Sequence, residues 1–145
     1  MKRILIVGLP TLAALLLILT IGPATGQVKK GKTRPLTTHQ LMSGLVRPNC
    51  AALGKGVKKA PTDDKGWHAL ATNAALLNEA SYVLMADGRC PDGVWAGAAK
   101  TLREGSAAAL KSIDQQDAAG TATAFKSMTQ ACAACHKAHR PKKKK

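Results

Sequence analysis

Bulky side chains are what this chain lacks. One Phe, one Tyr and two Trp stand among 145 residues, although 46% of the chain is hydrophobic. Ala and Leu must therefore supply most of any core, and such a core is thin. Two solutions exist: helices that pack unusually closely, or something other than an amino acid in the middle. The length allows one domain with at most a small appendage and argues against a two-domain enzyme. The apolar fraction excludes wholesale disorder, and no short repeat is visible.

Residues 1–26 read as a segment separate from the fold. Lys2 and Arg3 make a basic start, Ile4 to Ile21 is a nearly unbroken apolar run, and Ala24-Thr25-Gly26 supplies small residues for a signal peptidase. Cleavage after Gly26 is the expectation. A retained membrane anchor is the alternative, because the run is long enough to span if tilted. Both place the folded part outside the cytoplasm, in a periplasm or beyond. All four cysteines, Cys50, Cys90, Cys132 and Cys135, follow the cut. Thiols in such a compartment tend to be oxidised or covalently occupied.

The rest of the chain reads as helices. Residues 27–36 form a basic linker, closed near Pro35. Thr37 or Thr38 caps a first helix to about Gly56, with Pro48 inside it predicting a kink or a restart. Lys55 to Pro61 reads as a turn. Thr62 or Asp63 caps a second helix, with Trp67, Leu70, Ala74, Leu77, Ser81 and Leu84 at bundle spacing. Gly, Pro and Asp break the chain over 87–93. A third helix carries Trp95, Ala98, Leu102, Ala109 and Ile113. After a polar joint at 114–117, a fourth places Ala118, Ala122, Phe125, Met128, Cys132 and Cys135 on one side. No stretch alternates long enough for a strand. The predicted fold is all-α, an antiparallel up-and-down four-helix bundle over 37–140 with a basic tail at 141–145. A looser three-helix arrangement is the alternative.

One motif carries chemistry: Cys132-Ala133-Ala134-Cys135-His136. Two thiols followed at once by His form the c-type haem attachment signature. Each thiol adds across a haem vinyl group, and the adjacent imidazole is then held where it binds iron axially. On a helix the three side chains stand at i, i+3 and i+4 and face the same way. Two other readings stay open. A redox dithiol would want a thioredoxin-like strand before it, where the pattern is helical. A structural zinc site needs four ligands, which would require Cys50, Cys90 or His139 to converge on the motif.

A haem motif in the last helix of an exported four-helix bundle resembles the class II c-type cytochromes, the cytochromes c′ and their low-spin relatives. In that family an aromatic and then a basic residue follow the His. Here His139 stands in the aromatic position and Arg140 keeps the basic one. The resemblance covers Thr37 to Arg140 in architecture and is specific only over the motif. It implies one covalent haem c held by Cys132, Cys135 and His136, with Arg140 among the cofactor-binding residues, and a homodimer through the first two helices. A haem would also supply the core volume that aromatics do not.

In the low-spin members a Met early in the first helix takes the second axial position, and Met42 sits in such a place. The topology agrees, since the start of helix one and the end of helix four share one end of an up-and-down bundle. His39 lies one turn earlier on the same face and competes with it. An empty or water-filled site, as in the cytochromes c′, is the third option. The family's usual Arg-Gln pair is only half present, as His39-Gln40.

These options separate two functions. With Met and His both bound, haem transfers electrons between redox partners, and the Met raises its potential. With the sixth site open, an apolar pocket binds a small gas such as nitric oxide or carbon monoxide. No catalytic machinery is expected, because the distal side offers no acid–base pair beyond His39. Trp67, Trp95 and His68 read as core or surface residues.

The net charge of +14 points to an acidic redox partner or an anionic membrane surface, steered by Lys142 to Lys145. Plain solubility is the alternative. Nucleic acid is an unsuitable target for an exported chain without interleaved aromatics. Cys50 and Cys90 remain once the haem has its pair, and an even remainder in an oxidising compartment predicts a disulfide. Such a bridge would contribute about 4 kcal/mol for a loop of about 40 residues. Bundle geometry opposes it, since Cys50 lies about two turns above Met42 while Cys90 belongs to the loop at the haem end.

Overall fold

The computed structural model describes residues 30–140. The predicted signal segment, the start of the linker and the basic tail lie outside the described residues. Within them the chain is all-helical: α1 (Thr38–Leu41), a π turn (Met42–Val46), α2 (Arg47–Lys58), α3 (Asp64–Met85), α4 (Gly93–Asp114) and α5 (Ala118–His139). Because α1, the π turn and α2 run on as one rod, the bundle has four members. The α4 helix packs most closely against α3 and α5, and the first rod lies more lightly on α3 and α5.

Each of the four members begins where the chain supplies a side-chain cap. Thr37 makes a full capping box with Gln40, its Oγ1 accepting from the Gln40 amide at 3.1 Å and its own amide donating back to Gln40 Oε1 at 2.9 Å. Asp63, Asp92 and Asp117 accept from the amides of Gly66, Trp95 and Gly120 at 2.7, 3.0 and 2.9 Å. Such oxygens satisfy amides that have no partner inside the helix.

The core follows the apolar stripes. All six residues predicted to face inward on α3 are buried, and so are Trp95, Leu102, Ala109 and Ile113 on α4. Small residues let the helices close. An added Cβ on Gly54 would stand 2.9 Å from the Phe125 ring, and one on Gly105 would stand 2.5 Å from Met128 Cγ. Polar ties fix the register: Asn78 Nδ2 donates to Arg103 O at 2.8 Å, and Trp95 Nε1 donates to Leu84 O at 2.8 Å. Close packing is one way this chain offsets its lack of bulky residues.

Several elements differ from the sequence-based expectation. At Pro48 the expected restart takes the form of a π turn rather than a break: α2 begins at Arg47, with Pro48 in its first turn. The turn before α3 begins only after Lys58. On α5 the buried face is Thr121, Ala124, Met128, Cys135 and His139, so Ala122 and Phe125 are only partly covered and Ala118 is exposed. Residues 30–34 are not a free linker but fold against the 86–89 turn. There the Asp87 carboxylate accepts from the amides of Thr33 at 2.9 Å and Arg34 at 2.9 Å, and from the Thr33 hydroxyl at 3.0 Å. Asp87 has φ of 63°, a left-handed conformation that Asp tolerates better than most residues.

Among the described residues, no helix is long and apolar enough to cross a membrane.

Candidate functional site

The Cys132-Ala133-Ala134-Cys135-His136 motif lies on the last turns of α5, which continues unbroken to His139. Its helical geometry brings Cys132, Cys135 and His136 together at the wall of one small cavity. Facing them from the first rod are Met42, the first residue of the π turn, and Val46. Leu84 from α3 and Trp95 and Leu102 from α4 complete a nearly wholly apolar lining. Residues far apart in sequence thus meet at one end of the bundle, where α1 begins and α5 ends.

Burial sets the chemistry of these groups. The Cys132 thiol is pushed up to about 11, chiefly by desolvation and then by the neighbouring Cys50 and Cys135 sulfurs. Cys135 and Cys50 are also raised by burial, Cys135 further by the Asp92 carboxylate. All three are neutral thiols near pH 7, unlike the low-pKa thiolate of a redox dithiol. His136, at the exposed rim, is held below the ordinary His range by partial desolvation and by the Arg140 guanidinium. It is therefore neutral at pH 7, the form in which imidazole binds a metal.

The remaining sequence candidates occupy separate places. His39 is exposed on α1 and is not part of the cavity wall, and His68 is exposed on α3. Arg140 caps the C-terminus of α5. Cys50 and Cys90 are unbridged. Cys50 packs against the core within electrostatic reach of Cys132, whereas the Cys90 thiol lies 3.4 Å from the Asp92 carbonyl. Among the described residues no group of three or more His, Cys, Asp or Glu is arranged to hold a metal ion, so the zinc reading finds no ligand set there.

Sequence reasoning missed the support beneath the motif. His139 is 6% exposed, edge-on to Trp95 with ring centroids 5.5 Å apart. Its Nε2 lies 3.3 Å from Asp92 Oδ1, the same oxygen that caps α4. It thus packs as an aromatic would, bringing the end of α5 against the start of α4. Trp95 belongs to this support and also to the cavity wall. The Asp-x-x-Trp cap spacing was the available signal, but nothing local could place His139 against it.

No protein-family model matches this chain, and no curated protein or solved structure matches it either.

The donor set suits a covalently attached haem: two neutral thiols and an unprotonated imidazole on one helical face, with a thioether across an apolar space. The space itself is small. At about 40 Å³ it has room for two or three waters and not for a macrocycle.

Proposed function

We propose that the chain is an exported c-type cytochrome that transfers electrons through a single covalent haem. One observation carries this reading: Cys132, Cys135 and His136 share an apolar cavity with Met42, which comes from the opposite member of the bundle. Cys132 and Cys135 would anchor the haem, and His136 and Met42 would ligate its iron, with the Arg140 charge beside them. Such a haem supplies one-electron chemistry at a potential raised by its Met ligand. Leu84, Trp95, Leu102 and Val46 would exclude water from it. The neutral thiols also suit attachment, which needs them reduced.

The surface at that end fits a docking partner. Lys30, Lys32, Arg34, Lys137 and Arg140 are all exposed. They lie on the strap pinned to the 86–89 turn and at the end of α5. An acidic redox protein is the partner this charge favours, with steering that weakens as salt rises.

The test is the purified exported protein. Haem that survives denaturation, and is absent from a Cys132→Ala/Cys135→Ala variant, supports attachment. A low-spin reduced spectrum unchanged by carbon monoxide supports electron transfer, and a carbon monoxide shift in the wild-type protein turns the reading to gas binding. Protein recovered without haem sinks both. Binding to anionic vesicles in preference to an acidic protein would move the docking surface to a membrane.

A further inference from the structure

The π turn decides which side chains of the first rod face the cavity. On an unbroken α-helix, His39, Met42 and Val46 stand at i, i+3 and i+7, all on one face. A π turn takes in about one residue more than an α turn, so the residues before it are rotated by roughly 100° against those after it. The burial pattern matches that rotation. Leu41 is 1% exposed, Met42 lines the cavity with Val46, and His39 is turned out to solvent.

The sequence contains a cause for the turn. Pro48 has no N–H to give the Gly44 carbonyl, and its ring crowds that carbonyl. The chain responds just ahead of it: the Arg47 amide reaches back five residues to Met42 O. The Asn49 side chain donates to Leu45 O at 2.6 Å. Gly44 is exposed, so its carbonyl can turn to water. We infer that Pro48, through this π turn, is a positioning residue that admits Met42 to the cavity and turns His39 away. Toward an iron held there, it would select a thioether over an imidazole ligand and so bias the potential. That consequence rests on the haem reading; the selection itself is a property of the chain.

The full exported holoprotein tests it. Met42→Ala should open the iron to carbon monoxide, and adding His39→Ala should change nothing further. If Met42→Ala stays low-spin and refuses carbon monoxide until His39 is also removed, His39 reaches the iron despite the turn and the inference falls. Gly44→Ala with Pro48→Ala should restore an α-helix, since a Cβ on Gly44 meets nothing within 4 Å. Placed in the Met42→Ala background, that pair should weaken carbon monoxide binding about tenfold as His39 competes, with recovery on His39→Ala. Unchanged affinity would show that Pro48 does not set the rotation. A second readout needs no haem: modification of His39 by diethyl pyrocarbonate, followed by mass spectrometry. It should be fast in the wild-type chain and about threefold slower in Gly44→Ala/Pro48→Ala. Protein without haem would refute the cofactor reading alone, and the labelling ratio would then judge the turn, equal rates overturning it.

Discussion

Cys132 and His136 are adjacent in their chemistry but opposite in how their environment treats them. Burial holds the thiol protonated up to about 11, so alkylation of Cys132 in the haem-free chain should be slow at pH 7. It should quicken about tenfold per pH unit on the way up. Iodoacetamide labelling read by peptide mass checks this, and fast reaction at pH 7 would contradict the burial. For His136 the shift is downward. The unfolded state, with an ordinary His value of about 6.5, then binds the proton more readily than the folded state. Stability should therefore be level above that value, decline as pH falls through it and level out below the lowered folded value. A His136→Gln variant should flatten that decline in urea unfolding series. The motif was legible because its residues stand within a short spacing. The values its groups take were not, since they depend on α4 and the first rod.

At the scale of helices, two glycines on α4 should behave oppositely. Gly105 is buried against Met128, and an added Cβ would lie 2.5 Å from Met128 Cγ and 3.5 Å from Ala124 O. Gly105→Ala should cost about 1–3 kcal/mol through overpacking. Gly97 meets nothing within 4 Å. Gly97→Ala should stabilise by about 0.5–1 kcal/mol, the difference in helix propensity. Thermal denaturation of the two variants decides whether helix approach, and not helix formation, is what α4's buried glycine serves. The α3 stripe could be read because Trp and Leu alternate with polar residues at the helical period. The α5 face could not be read as well, because Ala stands on every side of it and leaves little contrast between faces.

For the molecule as a whole, the segment that the sequence presents as a linker is a strap held on the 86–89 turn. Asp87 holds Thr33 and Arg34, and those hydrogen bonds, with Arg89 close by, keep its carboxyl below the usual range. The strap is thus fully held above the ordinary carboxylate value and is released as pH falls through the lowered one. Asp87→Asn should speed amide exchange at Thr33 and Arg34 several-fold while leaving α4 protected. Equal exchange in the two chains would remove Asp87 as the clasp. On the proposed haem reading, uptake should act on the cavity end. Amides of α1 and α2 should exchange differently between haem-free and haem-bound protein, and those of the α4–α5 contact much less.

Local chemistry determined much of this protein. Caps at Thr37, Asp63, Asp92 and Asp117 start helices with their nearest neighbours alone, and period and turn residues set their number and length. The thiol–thiol–imidazole motif is likewise complete within five consecutive residues. Tertiary structure decided what is relational. Met42 shares a cavity with His136, His39 is turned away by one surplus residue in a turn, and His139 is seated between Trp95 and Asp92. Each depends on the rotation of one helix against another. In an Ala-rich chain many rotations bury similar area, and only the packing of the whole bundle chooses among them.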